Sequence, residues 1–387
     1  MKRRLVICGL FKYPRGCAAA NYIQYLADAL ILGGYDVTIV CDINPEYTKE
    51  KKFDYRGARI IEIMSKEHHP TLNRLLNEKL FKERLYRLLK SLDISEKDAV
   101  ISSDGGMIRD PIMRLHREKG FKNISYLVEW FPKEHYASPK LGDAAYRRFY
   151  SNGELDLIFP ISHYIADQFV NRKAKVVILP IMADKSEYKY VPKREGKYHF
   201  ILPAMGMMKD ALEEMLLGLA DLTADELQKL NFHITGVKQE RAKEILGSLW
   251  EKVSDTLIFH SWMQYDALID LYRECHYLFL ARETNQMTLA NFPSKVPETM
   301  TYGIVPVCSY VGEYTKYYLQ DNMNSLVFNG SSRDCCTAAV RRALNIPFEQ
   351  YQLLSANARK CVEDRFDYHN WVETIQRSIE SLFERGE

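Results

Sequence analysis

The chain has 387 residues, 47% apolar and 27% charged, which excludes a disordered polymer and leaves room for two domains. A net charge of +2 excludes the global field that draws a protein to nucleic acid, so no nucleic-acid partner is expected and any basic surface is local. No run reaches the roughly 20 apolar residues of a membrane span, and none of the eight cysteines forms a C-x-x-C pair. The thiols therefore read as reduced, in a cytoplasmic protein.

The opening MKRRLVICGLF reads as a first strand rather than a leader, because the apolar stretch Leu5–Phe11 meets Lys12. The pattern predicts a strand at Leu5–Cys8, a helix over Ala19–Leu32 stopped by Gly33-Gly34, and a strand at Val37–Val40. Ile60–Met64, Ala99–Ser102, Ile124–Val128 and Leu157–Pro160 continue the series. This β-α-β rhythm implies an α/β fold with a parallel sheet. The stretch Ala183–Lys197 has no clear periodicity and reads as a linker. The rhythm then restarts: Tyr198–Leu202, the helix Ala211–Leu219, and strands at His233–Thr235, Leu257–Phe259, Tyr277–Leu280 and Val305–Cys308. The last segment, Tyr368–Glu387, is an amphipathic helix with Trp371, Ile375, Ile379 and Leu382 on one stripe.

In doubly wound sheets, ligands bind beyond the carboxyl ends of the strands, so the loops after strands carry the candidates, and with two such domains the ligand site is expected in the cleft between them. The first loop, Lys12 to Ala20, holds Gly16 and Cys17 among small residues, and either lets backbone N–H groups approach a phosphate or sugar or is a plain strand-to-helix turn. It lacks the G-x-G-x-x-G spacing of a dinucleotide site. The second, Ala204 to Asp210, combines Gly206 for a tight turn with Lys209, either a point charge for a diphosphate or an ordinary surface lysine. The third, Asn291-Phe292-Pro293-Ser294-Lys295-Val296-Pro297-Glu298, opens a short helix ended by Gly303. Ser294 is placed to cap it, the first amides to meet an anion, and Glu298 to accept from a ribose diol. Arg282, just after the strand Tyr277–Leu280, is either a second diphosphate cation or half of a structural ion pair. Glu129 follows a strand and either binds acceptor hydroxyls or is a buried structural carboxylate, and His163 reads as structural. His260, His233 and His276 do not have metal-binding spacing, and neither a metal nor a cofactor is expected.

The stretch PSKVPETMTYGIVPV resembles the donor-site segment of retaining GT-B glycosyltransferases of family four, glycosyl transferases group 1, usually P-S-K-x-x-E-x-M-x-x-G-x-P-V. Ile258 to Asp266, Lys209-Asp210, the first β-α-β unit and the Phe366–Trp371 ending are similar to the same family. The resemblance implies two Rossmann-like domains facing each other across a cleft, at 1–185 and 186–367, with a C-terminal helix at 368–387 crossing back to the first domain. It implies that Glu298 binds the ribose, Lys209 the diphosphate, Ser261 and Trp262 the base, and Asn291 to Lys295 the transferred sugar and phosphate. Two positions depart from the pattern: Met207 stands where an Arg is usual, and Ala290 where the first Glu of an E-x7-E pair is usual.

The implied reaction moves a sugar from a nucleotide-diphosphate sugar to a hydroxyl of a carbohydrate or lipid-linked acceptor, with retention and without a metal, in cell-surface polysaccharide or glycolipid assembly. The basic stretch at 72–90, with Arg74, Lys79, Lys82, Arg84 and Arg87, is either a peripheral contact with the inner face of a membrane or a packed helix with a solvated face. A nucleotide-sugar epimerase and a catalytically degenerate partner subunit are the rival readings.

Overall fold

The structure, a computed structural model, describes residues 2–14, 17–43, 49–64, 74–103, 106–136, 138–150, 154–170, 173–203, 209–260 and 263–384. The chain divides into two compact units, one of Met1–Met182 with Tyr368–Glu387 and one of Ala183–Asp367.

The first unit is built on β1 (Arg4–Lys12), β2 (Asp36–Asp42), β3 (Lys52–Tyr55), β4 (Ala58–Ile63), β5 (Ala99–Ser102), β6 (Lys122–Leu127), β7 (Leu157–Pro160) and β8 (Lys175–Val176). Their order is β3-β4-β2-β1-β5-β6-β7-β8. Every pairing is parallel except β3 with β4. In β1, Leu5 to Cys8 are all buried, the signature of a central strand covered on both faces. Val6 and Cys8 share a core with Phe81, Leu85 and Leu89 of α2 (Arg74–Ser91) and with Ile108, Ile112 and Leu115 of α3 (Gly106–Lys119). Helix α1 (Ala18–Leu32) covers other residues of β1 and β2.

The β3–β4 hairpin turns on Arg56 and Gly57, both at positive φ (47° and 83°), the geometry of a two-residue type I′ turn. The Arg56 guanidinium is held 2.9 Å from Asp28 of α1, which offsets the strain of a non-glycine residue there.

The last helix, Val372–Glu380, packs on α1. Ile375 and Ile379 are fully buried, each worth about 1.5–3 kcal/mol of apolar transfer. Glu380 pairs with Arg3 at 3.1 Å and accepts from Tyr35 Oη at 2.7 Å. The C-terminal segment is therefore an integral part of the first unit. Helix α2 is the basic stretch, and three of its cations are paired: Lys82 with Glu78 and Asp110, Arg84 with Glu50, and Arg87 with Glu83. Its Phe81, Leu85 and Leu89 face the core, and these ion pairs lie on its more exposed side. No helix among the described residues is long and apolar enough to cross a membrane.

The second unit holds β9 (Tyr198–Pro203), β10 (Leu230–Thr235), β11 (Leu257–His260), β12 (Tyr277–Leu280), β13 (Val305–Ser309) and β14 (Leu326–Phe328). All pairings are parallel, in the order β11-β10-β9-β12-β13-β14. Counted from β9, this is the 3-2-1-4-5-6 order of a Rossmann sheet, whose ligand crevice lies where the order reverses, between β9 and β12. Phe200, Leu202, Phe232, Ile234 and Phe279 face a core that also takes in Met215 and Leu216 of the helix Leu212–Ala220. The stretch 183–197 packs into this unit. Lys193 is buried, and its ammonium donates to the Tyr272 carbonyl at 2.9 Å, near the C-terminus of the helix Tyr265–Glu274, where a cation is favoured. Burial lowers its pKa to about 8.

Candidate functional site

At the switch point of the second sheet, three chain segments bring charges together. Asp210 follows β9, Arg282 follows β12, and Lys295 opens the helix Lys295–Thr301. Arg282 Nε donates to Asp210 Oδ1 at 2.7 Å, and Lys295 Nζ to Asp210 Oδ2 at 2.7 Å. Arg282 Nη1 also donates to Asn291 Oδ1 at 2.8 Å, and its backbone N–H to Ser309 Oγ at 2.8 Å. The side chains of Arg282 and Asp210 are 4% and 8% exposed and that of Lys295 16%. Burial by itself would raise the Asp210 pKa, but the charges of Lys295 and Arg282 override it and hold the carboxyl at about 2. Burial lowers the Lys295 pKa, against the pull of Asp210. Around Asp210 the trio therefore carries net +1 in a poorly solvated place, where charge acts at its strongest.

Arg282 thus sits in a buried ion pair, directly beneath the segment expected to meet the donor. Lys209 precedes Asp210 and is half-buried. Glu298 lies in the first turn of the helix Lys295–Thr301, half-buried. Burial pushes the phenol of Tyr272 far up, with the charge of Glu298 adding to the shift. Asn291 is 7% exposed and fixed by Arg282. The Phe292 ring is buried among Tyr314, Tyr318 and Phe366, which leaves only its main chain for a ligand.

Ser294 differs from expectation. It occupies the N-cap position, but its backbone is already helical (φ −58°, ψ −27°) and its hydroxyl makes no capping bond. A capping side chain needs an extended backbone at that position. Here the turn begins one residue earlier, with Val296 N–H donating to the Pro293 carbonyl at 3.0 Å. Ala290, at the position of the missing carboxylate, is fully buried at the end of the helix Gln286–Ala290.

The helix after Ser294 ends at Gly303, whose φ of +69° is open to glycine without strain. A Cβ there would stand 2.3 Å from Tyr190 Cε2 and 2.8 Å from Ser355 Oγ. Gly303→Ala should therefore cost about 2 kcal/mol of stability, combining overpacking with a left-handed alanine, read as a lower urea midpoint at unchanged slope.

In the first unit, Cys17 occupies the N-cap position of α1, half-buried and without a side-chain cap bond. Tyr13, in the loop after β1, donates to Gln24 Oε1 at 2.7 Å, and Gln24 Nε2 to Asp28 Oδ1 at 2.8 Å. This buried chain ties the loop to α1. Glu129 follows β6 and is half-buried. Gly16, Gly206, Met207, Ser261 and Trp262 lie outside the described residues.

Two features escaped the sequence reading. Asp210 is adjacent to Lys209, and its two cation partners lie 72 and 85 residues further along the chain. The four histidines scattered through the second half form a ladder across its sheet: His199 Nδ1 lies 2.9 Å from His233 Nε2, and His233 Nδ1 lies 3.0 Å from His260 Nε2. His276 Nδ1 accepts the His199 backbone N–H at 3.2 Å, and its Nε2 meets the Arg194 carbonyl at 3.1 Å.

Two doubly wound α/β units, the second with a cationic crevice at its switch point, define the GT-B architecture. Residues 191–361 match the family described as Glycosyl transferases group 1, the family that the Pro293–Val307 pattern resembles. Solved structures agree on the fold. Sucrose-phosphate synthase from Thermosynechococcus elongatus matches with a TM-score of 0.76 at 11% identity, covering 99% of each chain. Trehalose-6-phosphate from E. coli bound with UDP-2-fluoro glucose gives a TM-score of 0.70 at 12% identity, covering 99% of each chain. WaaG, a glycosyltransferase involved in lipopolysaccharide biosynthesis, gives 0.67 at 14% identity, covering 96% of this chain and 98% of that one. No curated protein matches the chain.

Proposed function

We propose that this glycosyltransferase moves a sugar from a nucleoside-diphosphate donor to an acceptor hydroxyl with retention of anomeric configuration, using its own cations in place of a metal. The observation that carries the reading is the Arg282–Asp210–Lys295 cluster at the reversal of the second sheet. It lies where a Rossmann sheet binds nucleotides, and it is net positive. A nucleoside diphosphate gains negative charge as the glycosidic bond breaks, so preorganised cations favour the transition state over the ground state. Lys295 and Lys209 take the diphosphate, Glu298 holds the ribose, and the amides around Ser294 meet the transferred sugar and phosphate. Glu129 is assigned to the acceptor hydroxyls and Cys17 to the phosphate or sugar of the donor. In retaining chemistry of this kind the leaving phosphate accepts the acceptor's proton, so no separate base is assigned.

The acceptor is read as a carbohydrate of cell-surface polysaccharide or glycolipid assembly. The name of one structural relative, which refers to lipopolysaccharide biosynthesis, is in keeping with this. A membrane-bound lipid acceptor has less support, because Lys82, Arg84 and Arg87 of α2 are already paired with carboxylates.

The test is a transfer assay with UDP-, GDP- and ADP-sugars and a panel of oligosaccharide acceptors, with NMR of the product. Acceptor-dependent release of nucleoside diphosphate, unchanged by a chelator, with the donor's anomeric configuration kept, is the expected result. An inverted product, or activity abolished by the chelator, contradicts the corresponding part of the proposal.

A further inference from the structure

Lys295 is the cation least committed by the fold. An ammonium has three donors, and the contact shown for Lys295 among the described residues is the one to Asp210. Arg282, by contrast, is bonded on two sides, to Asp210 and to Asn291. Asp210 uses one carboxylate oxygen for each cation, so a single carboxylate fixes both positions and cancels one of the two charges. The side chains come from three separate segments, after β9, after β12 and at the start of a helix, and nothing local to any one segment would set their spacing. Without the carboxylate, Arg282 and Lys295 would be like charges in a buried place with no counter-ion.

We infer that Asp210 is a positioning residue that sets Lys295 for the donor diphosphate and lowers the charge of this cluster from +2 to +1, so that the donor is held firmly enough to react and the nucleoside diphosphate product loosely enough to leave. This rests on the donor-site reading above. The carboxylate acts through Lys295 and Arg282 and does not itself touch the donor. Its removal leaves the charges of Arg282 and Lys295 uncompensated, and a diphosphate supplies the missing counter-charge. A merely structural ion pair makes the opposite prediction, because breaking it loosens the pocket and weakens every ligand.

The test measures binding of UDP, GDP, ADP and inorganic pyrophosphate to the full chain by calorimetry and thermal shift. Asp210→Asn keeps the shape and one acceptor oxygen but removes the charge. Without ligand it should melt lower than wild type, yet bind the nucleoside diphosphate that wild type selects about tenfold more tightly, as expected when a buried counter-charge is removed. Its ligand-induced melting shift should exceed that of wild type. In turnover, KM and kcat should fall together, because product release slows. Lys295→Met should weaken the same ligand about tenfold, and the double variant, with Arg282 alone and net +1 again, should return toward wild-type affinity.

Weaker diphosphate binding by Asp210→Asn, or a double variant worse than either single one, overturns the assignment while the donor site stands. If Asp210→Asn does not fold, the comparison of Lys295→Met with the double variant decides, with failure to recover counting against the assignment. If wild type binds none of the four probes, the transferase reading falls and this assignment falls with it.

Discussion

Glu298→Ala should lower kcat/KM for the nucleotide-sugar donor by about ten- to hundredfold, which is what losing hydrogen bonds to one charged acceptor is worth. Glu298 sits in the first turn of a seven-residue helix that starts at Lys295, so the carboxylate that would hold the ribose and the ammonium that would hold the diphosphate are three residues apart on one rigid element. A contact made equally in the ground and transition states appears mainly in KM, and the loss is expected there, with kcat changed less. A donor lacking the 2′- or 3′-hydroxyl provides the control. Wild type should discriminate against it, and Glu298→Ala should treat it like the parent donor. A variant that keeps the discrimination would remove Glu298 from the ribose.

Lowering the pH from about 6.5 to about 4 should destabilise the protein strongly, through the histidine ladder of its second unit. Burial lowers the pKa of His233 to about 4, with the neighbouring His199 and His260 adding to the effect, and burial does the same to His276, also to about 4. His199 and His260 are shifted down as well, mainly by burial. An imidazole with a folded pKa below its ordinary 6.5 stays neutral in the fold while the unfolded chain takes up the proton. Its contribution is therefore complete above pH 6.5, drains as the pH falls, and is gone near pH 4. A shift from 6.5 to about 4 corresponds to roughly 3 kcal/mol for a single group. The ladder is coupled, so the members do not add in full. His276 accepts a backbone N–H at Nδ1, which a protonated ring cannot do. Urea midpoints measured between pH 7 and pH 4 should fall, and His233→Gln should flatten the fall. A midpoint independent of pH across that window would show that the ladder takes up protons as easily in the fold as out of it.

The central strands were legible because burial on both faces writes itself as continuous apolar runs, as in Leu5–Cys8 and Tyr277–Leu280. The strands that escaped were short or exposed. Lys52–Tyr55 alternates exposed and half-buried residues at a sheet edge, and its turn uses Arg56-Gly57, where Asn-Gly or Asp-Gly would have signalled a hairpin. The stretch 183–197 reads as a linker in sequence because its contacts to the second unit come from a buried lysine and from Tyr188 and Tyr190, which form no periodic apolar pattern. At the candidate site, Lys295, Glu298 and Gly303 were readable as one motif because they lie on one continuous stretch. The Asp210–Arg282 pair was only half readable. Arg282 was weighed as either a ligand cation or an ion-pair partner, but its partner lies 72 residues away, and spacing carries no information over that distance. The histidine ladder was invisible for the same reason, since only the register of β9, β10 and β11 brings residues 199, 233 and 260 together.

The most direct test of the account is binding of a panel of nucleoside diphosphates and nucleotide sugars to the wild-type chain, read by thermal shift beside Glu298→Ala. A ligand at roughly ten times its Kd should stabilise by about 1.4 kcal/mol, a rise in Tm visible for a protein of this size. The account predicts that one nucleotide series stabilises wild type and that Glu298→Ala loses most of the effect. If no nucleotide on the panel stabilises wild type, the crevice at Asp210, Arg282 and Lys295 is not a donor site.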